Sequence, residues 1–435
     1  MYLSSSRAAD ASAGVARDRP FARRAVAGNV VALGLVSMVT DVSSEMVTAV
    51  LPLYLVAGLG MTPLAYGLLD GVYQGVTALV RLVGSYAADR TRRRKLVAGA
   101  GYALSALCKP VLLAVTTPWA IGAVLAADRT GKGLRSAPRD ALISLSTTPE
   151  EQGRAFGVHR TLDTAGALLG PLAAFGVLWA ARDGYDAVFQ VSFCCAAFGV
   201  LLLVLYVRDP RPDPAAHSER TPRPGAVRTL RTLARTPGVP RLSLAAVILG
   251  AATISDAFLY LVLQQRHHLD ARWFPLLPVG TAAAFLLLAL PVGRLADRAG
   301  RLRVFLAGHG ALLAGYLLLL APIGGPAQLP AMAALFLLLG VFYAATDGVL
   351  MAAAAPLLPP ALRASGLALV QTGQAVGRFA AAVLFGAAWT ALGPTTALAA
   401  AAGCLAAAVA LCALLLARGR AAARRRDSVG RKASA

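Results

Sequence analysis

The sequence predicts an all-α membrane protein: twelve transmembrane helices arranged as two pseudo-symmetric six-helix bundles. Three observations predict it. Apolar stretches of about 20 residues recur from one end of the chain to the other, each long enough to cross a ~30 Å hydrocarbon core as a helix. The 435 residues are 57% hydrophobic and 14% charged, with mean hydropathy +0.64, too little polar surface for a water-soluble chain of this length. Several short patterns recur at one offset between the two halves. No hairpin-like alternation of apolar and polar residues appears, which argues against an outer-membrane barrel.

Helices are expected at 27–57, 64–88, 95–115, 119–145, 153–180, 186–207, 241–265, 272–296, 303–321, 329–356, 361–391 and 395–417. Turn chemistry separates them: Gly58–Pro63, Thr116–Pro118, Arg182–Gly184, Pro322–Pro326 and Gly393–Pro394. The expected organisation is a tail over 1–26, a first bundle over 27–207, a linker over 208–240, a second bundle over 241–417 and a basic tail over 418–435. The linker, RDPRPDPAAHSERTPRPGAVRTLRTLARTPGVP, is too polar and proline-rich to span a bilayer.

The formal net charge is +21. Its placement matters more than its size. Lys and Arg in the loops, in the tails and at the adjoining span ends number 30 on the side of the termini and 3 on the other, Arg182, Arg266 and Arg272. The positive-inside rule then puts both termini in the cytoplasm of a bacterial-type inner membrane. The basic excess faces anionic lipid heads, so nucleic acid is not expected as a partner. The polar, basic start (MYLSSSRAADASAGVARDRPFARR) lacks a short apolar core and cleavage site, and reads as a cytoplasmic tail. Cys108, Cys194, Cys195, Cys404 and Cys412 all fall in apolar segments without a histidine at ligand spacing, so they read as small hydrophobes. No nucleophile–base set or metal-ligand grouping appears, so neither an enzyme nor a metal site is expected.

The halves echo each other. Asp89 in GSYAADRTRRRK and Asp297 in GRLADRAGRLR lie 208 residues apart; RAFG (154–157) precedes RASG (363–366) by 209, and RDALI (139–143) precedes TDGVL (346–350) by 207. Such a parallel duplication places a substrate site where the two bundles meet, near the bilayer midplane.

One stretch is out of character with the rest. DRTGKGLRSAPRDAL (128–142) holds six charges. Its GKG is not a phosphate loop: Gly133 follows Lys132 where a hydroxyl is needed, and no strand precedes it. As a helix it places Asp128, Lys132, Arg135 and Arg139 along one stripe. A charge facing lipid costs on the order of 3 kcal/mol, so the stripe should face the bundle interior or a watery cavity. Partners are available. The first helix carries Asp41 and Glu45 on one face, the fifth carries His159, Arg160 and Asp163, and the seventh carries Asp256.

Two readings of these groups stand. In one, Asp41, Glu45, Asp163 and Asp256 are proton-coupling residues that change cationic partners (Arg129, Lys132 or Arg160) between conformations; in the other they form a static network that holds helices together. The excess cation on the fourth helix suggests an anionic or zwitterionic substrate. Arg129, Lys132, Arg135 and Arg160, with Gln371, Gln374 and Arg378 on the eleventh helix, are the candidate cavity residues. Tyr73, Gln74, Tyr260 and Gln264 are weaker ones. Lys109 reads as a lone snorkelling lysine, His309 as core, and His267 and His268 as solvated.

The sequence resembles major facilitator superfamily transporters along essentially all of the chain after its N-terminal tail. The loop pattern G-x-x-x-D-R-x-G-R-R is well matched by Gly293, Asp297, Arg298, Gly300 and Arg301. The earlier copy keeps Asp89, Arg90, Arg93, Arg94 and Lys95, but Ser85 and Arg92 stand at its glycine positions. In the fifth helix, Gly157, Gly166, Gly170 and Pro171 match a pattern of drug/proton antiporters, without the glycine pair that follows it there. The plain alternative is a small-residue face for close helix packing.

The resemblance implies a secondary transporter working by alternating access, with helices 1, 4, 7 and 10 around a central cavity. The expected activity is proton-coupled export of a small organic molecule, the alternative being uptake or facilitated passage of a small metabolite. It also implies gating contacts: Asp89 and Arg90 near the eleventh helix, Arg93 reaching Asp140, and Asp297, Arg298, Arg301 and Asp347 mirroring them. The proton gradient is the expected energy source, with no cofactor. The expected partners are a small-molecule substrate and the bilayer, and the expected unit is a monomer.

Overall fold

The computed structural model describes residues 28–90, 94–148, 151–181, 184–209, 226–359 and 362–433. Among these residues every regular element is helical. α1 (Gly28–Leu53) runs into a π-helical turn (Tyr54–Gly58). α2 (Pro63–Arg90), α3 (Arg94–Ala114), α4 (Pro118–Leu145), α5 (Gln152–Ala180) and α6 (Gly184–Tyr206) complete the first bundle. After a short α7 (Ala226–Arg235) come α8 (Val239–Ala251), α9 (Asp256–His267), α10 (Leu276–Ala299), α11 (Arg301–Leu320), α12 (Gln328–Thr346), α13 (Val349–Ala354), α14 (Arg363–Leu392) and α15 (Pro394–Ala433).

Among the described residues, ten segments are long and apolar enough to cross a membrane. α2 and α4 match them in length, at 28 residues each, but carry more polar side chains. They are held inside the assembly: α4 packs on α2 and α3, and α2 packs on α14 of the other bundle. α4 begins as its sequence dictates, with extended Thr117 ahead of Pro118, whose fixed φ suits the first helical position. Its internal Pro138 removes one backbone donor without ending the helix.

Two expected spans are present but are not continuous helices. The span expected at 241–265 is broken between α8 and α9. The freed backbone groups are answered by side chains: Thr253 Oγ1 donates to Leu249 O at 2.7 Å, and Ile254 N–H donates to Tyr316 Oη at 2.9 Å. Extended Ser255 then starts α9. The span expected at 329–356 is broken at Asp347–Gly348, where Gly348 takes φ +76°, a conformation that favours glycine. Within the linker α7 forms, and its Leu233 packs with Val239 and Leu358. The final helix also continues well past residue 417, to Ala433.

The bundles meet most closely along α2 and α14. At the end where α2 starts and α14 finishes, Leu64 N–H donates to Thr390 Oγ1 at 3.0 Å. A Cβ on Gly386 would stand 3.1 Å from Leu64 Cα, so only glycine admits this backbone approach. Just inside, Tyr66 meets Phe258 edge-on with centroids at 4.9 Å, Phe258 meets Phe385 at 4.9 Å, and Phe385 meets Trp389 at 5.8 Å. Phe175 of α5 and Trp273, ahead of α10, make a second bridge at 5.3 Å. Each such pair contributes about 0.5–1.5 kcal/mol beyond its buried area. This end of the bundle pair is sealed.

Candidate functional site

Between the bundles lies a cavity of about 220 Å³. Both halves build it. α1 contributes Glu45 and Thr48, and α2 contributes Asp70, Tyr73 and Gln74. α5 adds Pro171, the α8–α9 break adds Thr253, Ile254, Ser255 and Asp256, and Tyr260, Tyr343 and Arg378 close the far wall. The break positions the site. It turns a half-helix N-terminus towards the cavity, with Asp256 as first residue, where a carboxylate complements the helix dipole.

Of the expected candidates, Glu45, Asp256, Arg378, Tyr73, Gln74 and Tyr260 line this cavity. Asp256 Oδ2 accepts the Tyr343 hydroxyl at 2.6 Å, and Tyr260 Oη donates to Thr281 Oγ1 at 2.8 Å. Gln264 turns away and donates to Leu269 O at 3.0 Å. Gln371 is exposed, and Gln374 contributes backbone to the α8–α14 contact at Gly250.

The cations of α4 do not line the cavity; the first bundle's own acids absorb them. Lys109 is corrected outright: it is 3% exposed, and its Nζ lies 2.9 Å from Asp128 Oδ1. Asp128 also accepts from Ser105 Oγ at 2.5 Å and from Arg129 Nε at 3.0 Å, while the Arg129 guanidinium sits 4.1 Å over the Tyr73 ring. This is a closed, buried network between α3 and α4. A pair so deep is retained only because its hydrogen bonds are complete.

A second group lies on the α1 side. Asp41 Oδ1 is 3.0 Å from Arg135 Nη2 and 4.0 Å from Lys132 Nζ, and Lys132 Nζ is 3.6 Å from Glu45 Oε1. Asp163 of α5 stands near Asp41 in the same cluster. On its other side stand Arg139 at 3.7 Å and the exposed Arg160 at 3.9 Å. Arg139 Nη1 also donates to Ser37 Oγ at 3.2 Å, and Ser37 in turn lies 3.0 Å from His159 Nε2. Glu45 joins the groups, since it both pairs with Lys132 and lines the cavity.

The glycines of α5 serve close packing at two positions. A Cβ on Gly166 would stand 2.9 Å from Met38 Cα, and one on Gly170 would stand 2.6 Å from Glu45 Cβ, so α1 and α5 touch backbone to backbone. Gly157 meets nothing within 4 Å. Pro171 reaches the cavity.

The residues expected in gating contacts are described only in part. The side chains of Asp89, Arg90 and Arg93 lie outside the described residues. Asp140 pairs with its neighbour Arg139 at 3.1 Å. In the second bundle Arg301 lies 3.2 Å from Asp297 and donates to Ala352 O at 2.7 Å, which ties α10 and α11 to α13. Arg298 and Asp347 are exposed. His309 is core, wedged between Phe305 and Phe342 with its Nδ1 2.9 Å from Phe305 O.

Asp70, Thr253 and Ser255 were not among the expected site residues. The signal for Asp70 was present: a carboxylate in the apolar first half of α2 is a site candidate on the same ground as Asp41. Thr253 and Ser255 carried no such signal, because hydroxyls are common within helices and only the break exposes them.

The Major Facilitator Superfamily model matches residues 33–286 and 274–434. An MFS-type transporter of Methanocaldococcus jannaschii is 28% identical over 380 residues, covering 84% of this chain and 89% of the relative. A multidrug resistance protein, MdtH, of Photorhabdus laumondii is 30% identical over 151 residues, 35% of each chain. Among solved structures, the nucleoside transporter NupG superposes with TM-score 0.74 at 14% identity, covering 89% of this chain and 98% of its own. A bacterial homologue of the human lysosomal transporter Spinster, inward-facing and unoccupied, superposes with TM-score 0.66 at 16% identity, covering 90% and 95%. These structures share the helical architecture, and the family match extends over both bundles: the chain belongs to the Major Facilitator Superfamily.

Proposed function

We propose that the protein is a secondary transporter that exports a small organic molecule in exchange for protons, by alternating access at the cavity between the bundles. One observation carries this reading. Glu45 faces the cavity and, through Lys132, joins a chain of acids and cations, Asp41–Arg135 and Asp163–Arg139, buried in the first bundle. Asp41 and Asp163 share this cluster of cations, so a change in which acid each cation meets would change which acid holds a proton. If a conformational change draws Lys132 or Arg135 to one acid and away from another, it loads or releases that proton. The sealed α2–α14 end supports a resting form closed on that side. With both termini in the cytoplasm, this closely packed end faces outward, and substrate would enter the cavity from the cytoplasm. The MdtH relative and the α5 glycine–proline pattern support export.

Everted inner-membrane vesicles from cells expressing the protein, loaded with a pH-sensitive dye, test this when challenged with pooled metabolites and drugs. The expected result is proton efflux from the lumen triggered by one pool and lost in Asp41→Asn. Transport of a labelled hit that needs no gradient and survives Asp41→Asn would show a facilitator, with the Asp41 group serving packing alone.

A further inference from the structure

The cavity's own charges define the class of molecule it takes. Among the described residues it is lined by three carboxylates, Glu45, Asp70 and Asp256, and one guanidinium, Arg378. Glu45 is answered from behind by Lys132 at 3.6 Å. Arg378 is within electrostatic reach of both Asp70 and Asp256, so one cation serves two anions. Carboxyl groups therefore outnumber cations on the cavity wall, in a place where water competes weakly and an unmatched charge is costly.

A second observation is independent of that balance. Asp70 Oδ2, Ser255 Oγ and Arg378 Nε are buried and make no hydrogen bond. Ser255 stands beside Asp70, at the start of α9. Asp70 and Ser255 stand close enough to answer each other, while Arg378 Nε has no partner among the described residues; buried polar atoms are nearly always paired, so this side of the cavity offers groups open to a ligand. Two of them accept hydrogen bonds and suit an ammonium N–H. The third, Arg378 Nε, can only donate and suits an acceptor oxygen.

We infer that the substrate is a compact organic monocation: a protonated amine bound at Asp70 and Ser255, carrying a hydrogen-bond-accepting oxygen directed at Arg378. The cavity volume admits a molecule of about one ring. The anionic substrate suggested by the cations of α4 does not fit, because those cations are consumed within the first bundle. The inference rests on the transport reading for the cavity being reachable from one side of the membrane.

The test reads charge preference without a known substrate. In full-length protein with the five native cysteines replaced, Thr48→Cys and, separately, Ala257→Cys place a thiol on facing walls of the cavity. Each is treated in oriented vesicles with trimethylammonioethyl methanethiosulfonate and with sulfonatoethyl methanethiosulfonate. Rates are normalised to those of a free thiol, and the reaction is repeated with tyramine or 3-(4-hydroxyphenyl)propionate present. The expected outcome is a normalised rate at least tenfold higher for the cationic reagent, falling several-fold in Asp70→Asn, with protection by tyramine and none by the propionate. A ratio at or below one, or protection by the propionate alone, overturns the monocation and leaves the transport reading standing. If neither reagent reaches either thiol from either side, the cavity is not on a transport path and both readings fall.

Discussion

Arg135 Nη2 stands 3.0 Å from Asp41 Oδ1, and Lys132, one turn earlier on the same helix, stands 4.0 Å from that oxygen. Arg135 is buried, its guanidinium stacked 4.4 Å over the Tyr102 ring, whereas the Lys132 side chain is 33% exposed. One carboxylate therefore has a fixed cationic partner and a mobile one. Arg135 is bound in place by packing; Lys132 is free to choose between Asp41 and Glu45.

This asymmetry separates two substitutions. Arg135→Gln leaves the Asp41 charge in a buried site and should lower stability by about 3–5 kcal/mol, seen as a large fall in the detergent melting temperature. Lys132→Gln should cost much less, about 1 kcal/mol or below, because its partly exposed pair is screened, yet it should abolish proton-coupled transport. Equal losses of melting temperature would show that the two cations play the same role.

The Lys109–Asp128–Arg129 network predicts a strong non-additivity. Lys109→Met strands part of the Asp128 charge, and Asp128→Asn strands two cations, so each alone should be severely destabilising. The double substitution removes a charge of each sign and should cost clearly less than the sum. A thermal-unfolding double-mutant cycle in detergent measures this coupling, expected to exceed about 1 kcal/mol. Additive losses would place the two residues in separate environments.

Packing at α5 can be tested glycine by glycine. Gly157→Ala adds a methyl into open space on a helix and should be neutral or stabilising by up to about 1 kcal/mol. Gly170→Ala forces a methyl to 2.6 Å from Glu45 Cβ. It must push α1 and α5 apart and should lower both melting temperature and transport. If Gly170→Ala keeps full transport, the α1–α5 contact is not needed for the cycle.

The seal between α2 and α14 should be lockable. With native cysteines replaced, Leu64→Cys paired with Thr390→Cys brings two thiols to positions already in hydrogen-bond contact. Oxidation should stop transport and reduction should restore it, read as uptake by vesicles before and after dithiothreitol. Continued transport in the cross-linked protein would mean that this end does not open.

The bilayer's demands made much of the architecture legible in the primary structure. Apolar runs of span length, turn residues between them and repeats near 208 residues apart follow from hydrocarbon thickness and gene duplication, and they need no partner to be read. Asp41, Glu45 and Asp256 stood out for the same reason, since charge in an apolar helix is costly. Which charges cancel was decided only by tertiary structure. Lys109 read as a lone cation until helix packing set it against Asp128, 19 residues away on the next helix. Arg129 and Arg135 read as cavity cations until Asp128 and Asp41 claimed them. The breaks at Ala252–Ser255 and Asp347–Gly348 were equally invisible, because a helix in a membrane opens only where distant groups such as Tyr316 satisfy the freed backbone. Local sequence sets the cost of each polar group; the neighbour that offsets that cost comes from another helix, and only the fold brings the two together.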